Sequence, residues 1–145
     1  MAQYRQACHA KYDCRYHIVR VTKYRKKRIH ERLEEVLNEI LLEICDELFI
    51  KVIRIGMEED HVHMYVSIPL SVWNIPEIIQ KLKWQSSKRL WEIKEYEEYF
   101  KKFYWKPWIW KWAAWYFVST VWEVNDELIK EYIENQWKEI DNNFN

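Results

Sequence analysis

His61 and His63 stand two positions apart in the run Asp60-His61-Val62-His63-Met64-Tyr65-Val66. In an extended chain successive side chains point to opposite faces, so the two imidazoles share one face while Val62, Met64, Val66 and Ile68 share the other. At a rise of about 3.3 Å per residue their Cβ atoms fall roughly 6 to 7 Å apart, near enough for both rings to reach one divalent cation of borderline softness. The same spacing also suits two surface histidines that hold nothing. A second pair lies toward the C-terminus. Tyr132 and Gln136 are one helical turn apart, on the flank of an apolar stripe formed by Ile129, Ile133, Trp137 and Ile140. A phenol beside an amide oxygen can serve as nucleophile and metal ligand. A boundary tyrosine that packs its ring and wets its hydroxyl has the same pattern.

The elements that must position these groups follow from periodicity. Residues 14–22, CRYHIVRVT, alternate as a strand. From Arg28 to Leu48 the residues Ile29, Leu33, Val36, Leu37, Ile40, Leu41, Ile44 and Leu48 recur at the helical period, which predicts a long amphipathic helix. Residues 49–57 are rich in Ile and Val and read as a second strand. Gly56, the single glycine, and the acidic Glu58, Glu59 and Asp60 turn it into a third strand over residues 61–68, forming a hairpin. Asn74 with Glu77 three residues later, and Pro76 in the first turn, mark a second helix that ends near Lys94. Residues 96–114 are aromatic and basic without a clear period and are expected to form an extended connection. A fourth strand over 116–121 and a closing helix from Asn125 to about Ile140 complete the chain. The order βαββαβ plus a terminal helix predicts an α+β, ferredoxin-like (RRM-like) antiparallel sheet with helices on one face. One domain over 1–145 is expected, with 1–13 and 141–145 as loose ends.

The totals narrow the function classes. The 145 residues include no run of eighteen uncharged apolar residues and no charged-then-apolar leader, which leads to the expectation of a soluble, cytoplasmic protein with no membrane partner. Three cysteines without CxxC spacing suggest neither a disulfide framework nor a zinc knuckle. Net charge is zero, yet up to Arg32 ten basic residues face only Asp13 and Glu31. A polyanion could be held at that end through phosphate contacts and counterion release; a solvated basic loop has the same composition.

Several segments together resemble a known family. Residues 15–27 (RYHIVRVTKYRKK), the His61-Val62-His63 motif, residues 81–90 (KLKWQSSKRL), residues 116–121 (YFVSTV) and residues 132–136 (YIENQ) are similar, in the same order, to the small single-tyrosine transposases of the HUH class, which mobilise insertion sequences by a single-strand, peel-and-paste route. The resemblance covers about residues 14 to 140. It implies that His61, His63 and Gln136 hold Mg²⁺ or Mn²⁺, and that Tyr132 attacks DNA and stays joined to a 5′ phosphate. It further implies a homodimer with active sites shared between subunits, and single-stranded DNA with hairpins at the element ends as partner. Arg20, Lys23, Arg25, Lys26, Lys83, Lys88 and Arg89 are then expected at the DNA backbone. Two alternatives remain open: a housekeeping transposase acting on dispersed palindromic repeats, and a non-catalytic binder of single strands using Tyr4, Tyr12, Tyr16 and Tyr24 as stacking groups.

Ten tryptophans accompany the one glycine. In the family resembled, the positions of Trp84, Trp115, Trp122 and Trp137 usually hold glycine, and Trp108 and Trp112 fall in a glycine-rich connection. The hypothesis that follows is a host that reads UGA as glycine; an intact mass of the protein from that host matching the printed sequence would end it. The competing reading keeps the tryptophans, interleaved with Lys101, Lys102, Lys106 and Lys111, as a stacking platform for unpaired bases.

Overall fold

A computed structural model describes residues 4–22, 29–70, 74–102 and 112–120, with the side chains of 113–115 left aside. Its main sheet has four strands: β3 (Arg15–Thr22), β4 (Lys51–Met57), β5 (His61–Ser67) and β6 (Trp112–Thr120). They lie in the order β4-β5-β3-β6, and every neighbouring pair is antiparallel. Helix α1 (Glu31–Glu47) follows β3, and helices α2 (Ile75–Trp91) and α3 (Lys94–Lys101) lie between β5 and β6. The fold class is α+β, as expected, and β4 and β5 form the predicted hairpin.

The alternation of apolar residues decides which sheet face is covered. Ile18 of β3 and Val62, Met64 and Val66 of β5 enter one buried cluster with Leu33, Leu37, Leu41 and Ile44 of α1 and Ile78, Leu82 and Leu90 of α2. Burying each such side chain contributes about 1.5 to 3 kcal/mol, which is what orders a helix that would be marginal alone. The helix ends are set locally. His30 caps α1, its Nδ1 accepting from the Leu33 amide at 3.4 Å. Asn74 caps α2 as predicted, its Oδ1 accepting from the Glu77 amide at 2.9 Å.

At the other end of α1 the amide of Ile50 donates to the Cys45 carbonyl (2.8 Å) and that of Phe49 to the Asp46 carbonyl (3.1 Å). This six-to-one and five-to-two pairing requires a left-handed residue after the cap, where glycine is usual. Here it is Phe49, with φ of 59° and a side chain 68% exposed. A left-handed non-glycine residue costs on the order of 1 kcal/mol. Phe49→Gly is therefore expected to raise stability by about that amount; a urea midpoint equal to or below wild type would refute the strain.

Three expectations are corrected. The segment 96–114 is not one extended connection: it begins inside α3 and ends inside β6, which starts at Trp112 instead of residue 116. Tyr96 and Phe100, four apart, bury one face of α3, and Lys101 pairs with Glu97 at 2.6 Å. The second helix stops at Trp91, three residues before Lys94. The N-terminal stretch expected to be loose carries a small hairpin, β1 (Arg5–Ala7) with β2 (Ala10–Tyr12). Arg5 ties it down, donating to the carbonyls of Ser67 (2.8 Å) and Phe49 (3.0 Å) while lying 5.5 Å over the Tyr12 ring.

Two of the tryptophans in question have described side chains here. Trp84 is 58% exposed on α2. Trp112 is buried in the core, its indole N–H donating to Ser86 Oγ at 3.0 Å. A glycine at 112 would remove that bond and the ring beneath Arg20. Trp108, Trp122 and Trp137 lie outside the described residues, as does the Trp115 side chain.

Candidate active site

Strand register brings the histidines together. Val21 pairs with His61, Val19 with His63 and His17 with Tyr65 across β3 and β5, so His17, His61 and His63 share the face opposite the helices. The rings of His61 and His63 lie 6.2 Å apart, centroid to centroid, and that of His17 packs edge-on against His63 at 6.1 Å. Burial pushes the His17 imidazole down to about 4, helped by the proximity of His63. Burial also lowers His63, with His61 adding to the shift and Glu58 opposing it. These two rings are therefore neutral at pH 7, the form in which imidazole ligates a cation.

The donor type fits: two imidazoles on one sheet face, their ring centroids 6.2 Å apart, are ligands that suit a small divalent ion. No third His, Cys, Asp or Glu converges with them among the described residues. A further ligand must be of another type or come from elsewhere. Tyr132 and Gln136, the expected nucleophile and amide ligand, lie outside the described residues.

Two neighbours of the pair are read in the sequence only as turn residues, and one of them, Gly56, lies inside β4 instead of in the turn. Asp60 Oδ1 lies 2.9 Å from His61 Nδ1. Gly56 pairs with His63 in the β4–β5 ladder. Asp60 adjoins the motif and was open to inspection; the register that sets Gly56 beneath His63 was not. Tyr65 shares this face, and its burial pushes the phenol up, leaving it protonated and a poor attacking group.

The acid behaviour follows from His17. Above 6.5 neither the folded nor the unfolded chain protonates this ring. As pH falls below 6.5 the unfolded chain takes the proton first, so the stability contributed by the neutral ring drains away until about pH 4. The loss expected over that window is on the order of 3 kcal/mol. Urea unfolding at pH 7.5 and 4.5 with chelator present measures it, and an equal loss in His17→Leu would refute the assignment.

The expected DNA contacts separate into groups. Arg20 is buried: the same alternation that turns Ile18 inward turns Arg20 inward, and it is 4% exposed on the helix-covered face. Its guanidinium lies 5.9 Å over the Trp112 ring and 5.6 Å over that of Tyr116, and burial lowers it to about 10, still charged at neutral pH. Arg89 bridges the helices, reaching Glu47 at 2.8 Å and Glu43 at 3.2 Å. Lys83 and Lys88 are exposed on α2, whereas Lys23, Arg25 and Lys26 lie outside the described residues. Of the tyrosines, Tyr4 is exposed, Tyr12 is covered by Arg5, Tyr16 packs on the core and Tyr24 is not described.

Comparison with known proteins adds an independent line. Residues 10–136 match the family described as "Transposase IS200 like". Over 139 residues the chain is 27% identical to the transposase for insertion sequence element IS200 of Salmonella typhimurium, covering 96% of this chain and 87% of that protein, and the Salmonella typhi protein matches equally. Among solved structures it is similar to a candidate transposase from Deinococcus radiodurans R1, with a TM-score of 0.73, 26% identity, and 91% and 97% of the two chains covered. A REP-associated tyrosine transposase bound to a REP hairpin shares the fold, with a TM-score of 0.54 at 11% identity, covering 93% of this chain and 68% of that one. Among the described residues no helix is long and apolar enough to cross a membrane.

Proposed function

The chain belongs to the IS200-like transposases, and from that premise we propose that it cleaves and rejoins single-stranded DNA at insertion-sequence ends through a covalent tyrosine intermediate. The observation that carries the chemistry is the His61–His63 pair, two imidazoles 6.2 Å apart on one sheet face with His63 held neutral. With Gln136 they would hold Mg²⁺ or Mn²⁺, which when bound polarises the scissile phosphate and stabilises the leaving oxygen. Tyr132 supplies the nucleophile. Its phenolic oxygen bonds to phosphorus as the bond from phosphorus to the 3′ oxygen breaks. The phenolic proton passes to water, the departing 3′ oxygen takes up a proton from water, and the 5′ phosphate stays on the tyrosine. The diester keeps the energy of the broken bond, so attack by a 3′ hydroxyl reverses the step without ATP. A phenol, with a pKa of about 10, leaves more readily than an alkoxide.

The strand order β4-β5-β3-β6, with helices following β3 and β5, supports a ferredoxin-like sheet; the C-terminal helix that carries Tyr132 is proposed from the sequence pattern alone. We read the enzyme as a homodimer in a prokaryotic cytoplasm, the tyrosine helix of one subunit serving the histidine pair of the other. The hairpin bound by the REP-associated relative of like fold supports structured single strands as substrate. Lys83 and Lys88, with Lys23, Arg25 and Lys26, are the backbone contacts; buried Arg20 and bridged Arg89 serve the fold. The test is incubation with a single-stranded oligonucleotide bearing a hairpin, in Mn²⁺. A protein–DNA adduct that survives denaturation is expected; retardation of the strand with no adduct would mean a binder in place of an enzyme.

A further inference from the structure

We infer that Asp60 and Gly56 are positioning residues for the two imidazoles, Asp60 by fixing the proton of His61 at Nδ1 and Gly56 by leaving the space in which the His63 ring lies. The inference rests on the reading of His61 and His63 as metal ligands.

The Asp60–His61 contact is shielded and its geometry is set from outside the pair. Side-chain exposure is 17% for Asp60 and 8% for His61, so water competes little for the 2.9 Å bond. The Asp60 carbonyl accepts from both the amide (2.9 Å) and the hydroxyl (3.1 Å) of Thr22, and the Glu58 amide donates to the His61 carbonyl at 2.9 Å. The turn that holds Asp60 is thus pinned to β3, and its carboxylate does not wander. A carboxylate only accepts, so Asp60 holds a His61 proton at Nδ1, and in the neutral ring the lone pair is then at Nε2, the nitrogen that would ligate a cation.

Gly56 acts on the other ring. A Cβ at this position would stand 2.2 Å from Nε2 and 2.4 Å from Cε1 of His63, distances no side chain tolerates. The residue does not adopt a positive φ, so the requirement is for space and not for backbone freedom. His17 closes on the same ring edge-on, so His63 is held between β4 and β3. Any side chain at 56 must push the ring out of this slot and change its angle to His61. Metal ligands left unsupported in this way typically lose 10- to 100-fold in affinity.

Mn²⁺ titration of the full chain, followed by electron paramagnetic resonance, tests this. Asp60→Ala and Gly56→Ala are expected to raise the Mn²⁺ dissociation constant about 10- to 100-fold, and Asp60→Asn, whose side-chain oxygen still accepts from Nδ1–H, is expected to recover most of the loss. In metal-free protein, nitrogen NMR of the imidazoles should report His61 as the Nδ1–H tautomer in wild type and Asp60→Asn, and a mixture in Asp60→Ala. This second readout decides the role of Asp60 even where Gly56→Ala folds poorly. Wild-type affinity in both Asp60→Ala and Gly56→Ala, or an unchanged tautomer in Asp60→Ala, overturns the inference. His61→Ala and His63→Ala serve as controls: if they too bind Mn²⁺ as wild type does, it is the metal reading that fails, and the tautomer alone judges Asp60.

Discussion

Tyr132→Phe is expected to leave DNA binding within a few-fold of wild type while abolishing the covalent adduct, a fall in cleavage of at least about 10⁴-fold. The size of the effect comes from the kind of group removed. A nucleophile that forms a bond to the substrate has no partial substitute, whereas loss of an orienting group leaves the reaction slowed but intact. Phenylalanine keeps the aromatic ring, so the missing hydroxyl is the single change. Denaturing electrophoresis of protein with labelled oligonucleotide reads the result. An adduct of wild-type yield in Tyr132→Phe would place the nucleophile elsewhere; buried Tyr65, with its phenol pushed up, is poorly suited to replace it.

Removal of both imidazoles has the next largest expected effect. In His61→Ala/His63→Ala, adduct formation should fall by about 10³-fold or more and lose its dependence on divalent ion concentration, since charge stabilisation at the phosphate is worth several kcal/mol. Each single variant should retain part of that dependence with a weaker apparent affinity. His17→Leu is the informative contrast: it touches His63 but is not placed to share an ion with the pair, so it should change acid stability far more than metal dependence. Rates measured against Mn²⁺ concentration for wild type and these four variants decide it. A double variant with an undiminished, ion-dependent rate would remove the pair from the chemistry.

The failures of sequence reading are as physical as its successes. Arg20 read as a DNA contact because it stands in a basic run, yet the alternation that buries Ile18 and Thr22 carries Arg20 inward with them. Position in the strand outweighed the charge, and stacking on Trp112 and Tyr116 accommodates it. α3 was missed because aromatic residues mask a period. The spacing of Tyr96 and Phe100, and of Glu97 and Lys101, was present but lay within a stretch read by its composition. The anchoring of the N-terminal hairpin by Arg5 joins residues 44 and 62 positions apart, which no local pattern encodes.

What the sequence determined by itself is whatever a single element expresses in its own period: the apolar stripe of α1, the cap of α2 at Asn74, the β4–β5 hairpin, and the common face of His61 and His63. Tertiary structure decided which groups stand around that pair. Gly56 beneath His63, His17 against it and the Thr22 clamp behind Asp60 all depend on the register of β5 between β4 and β3. That register is fixed by packing Val62, Met64 and Val66 against α1 and α2, because a slip of one residue would exchange the two faces of the strand and turn the histidines into the core.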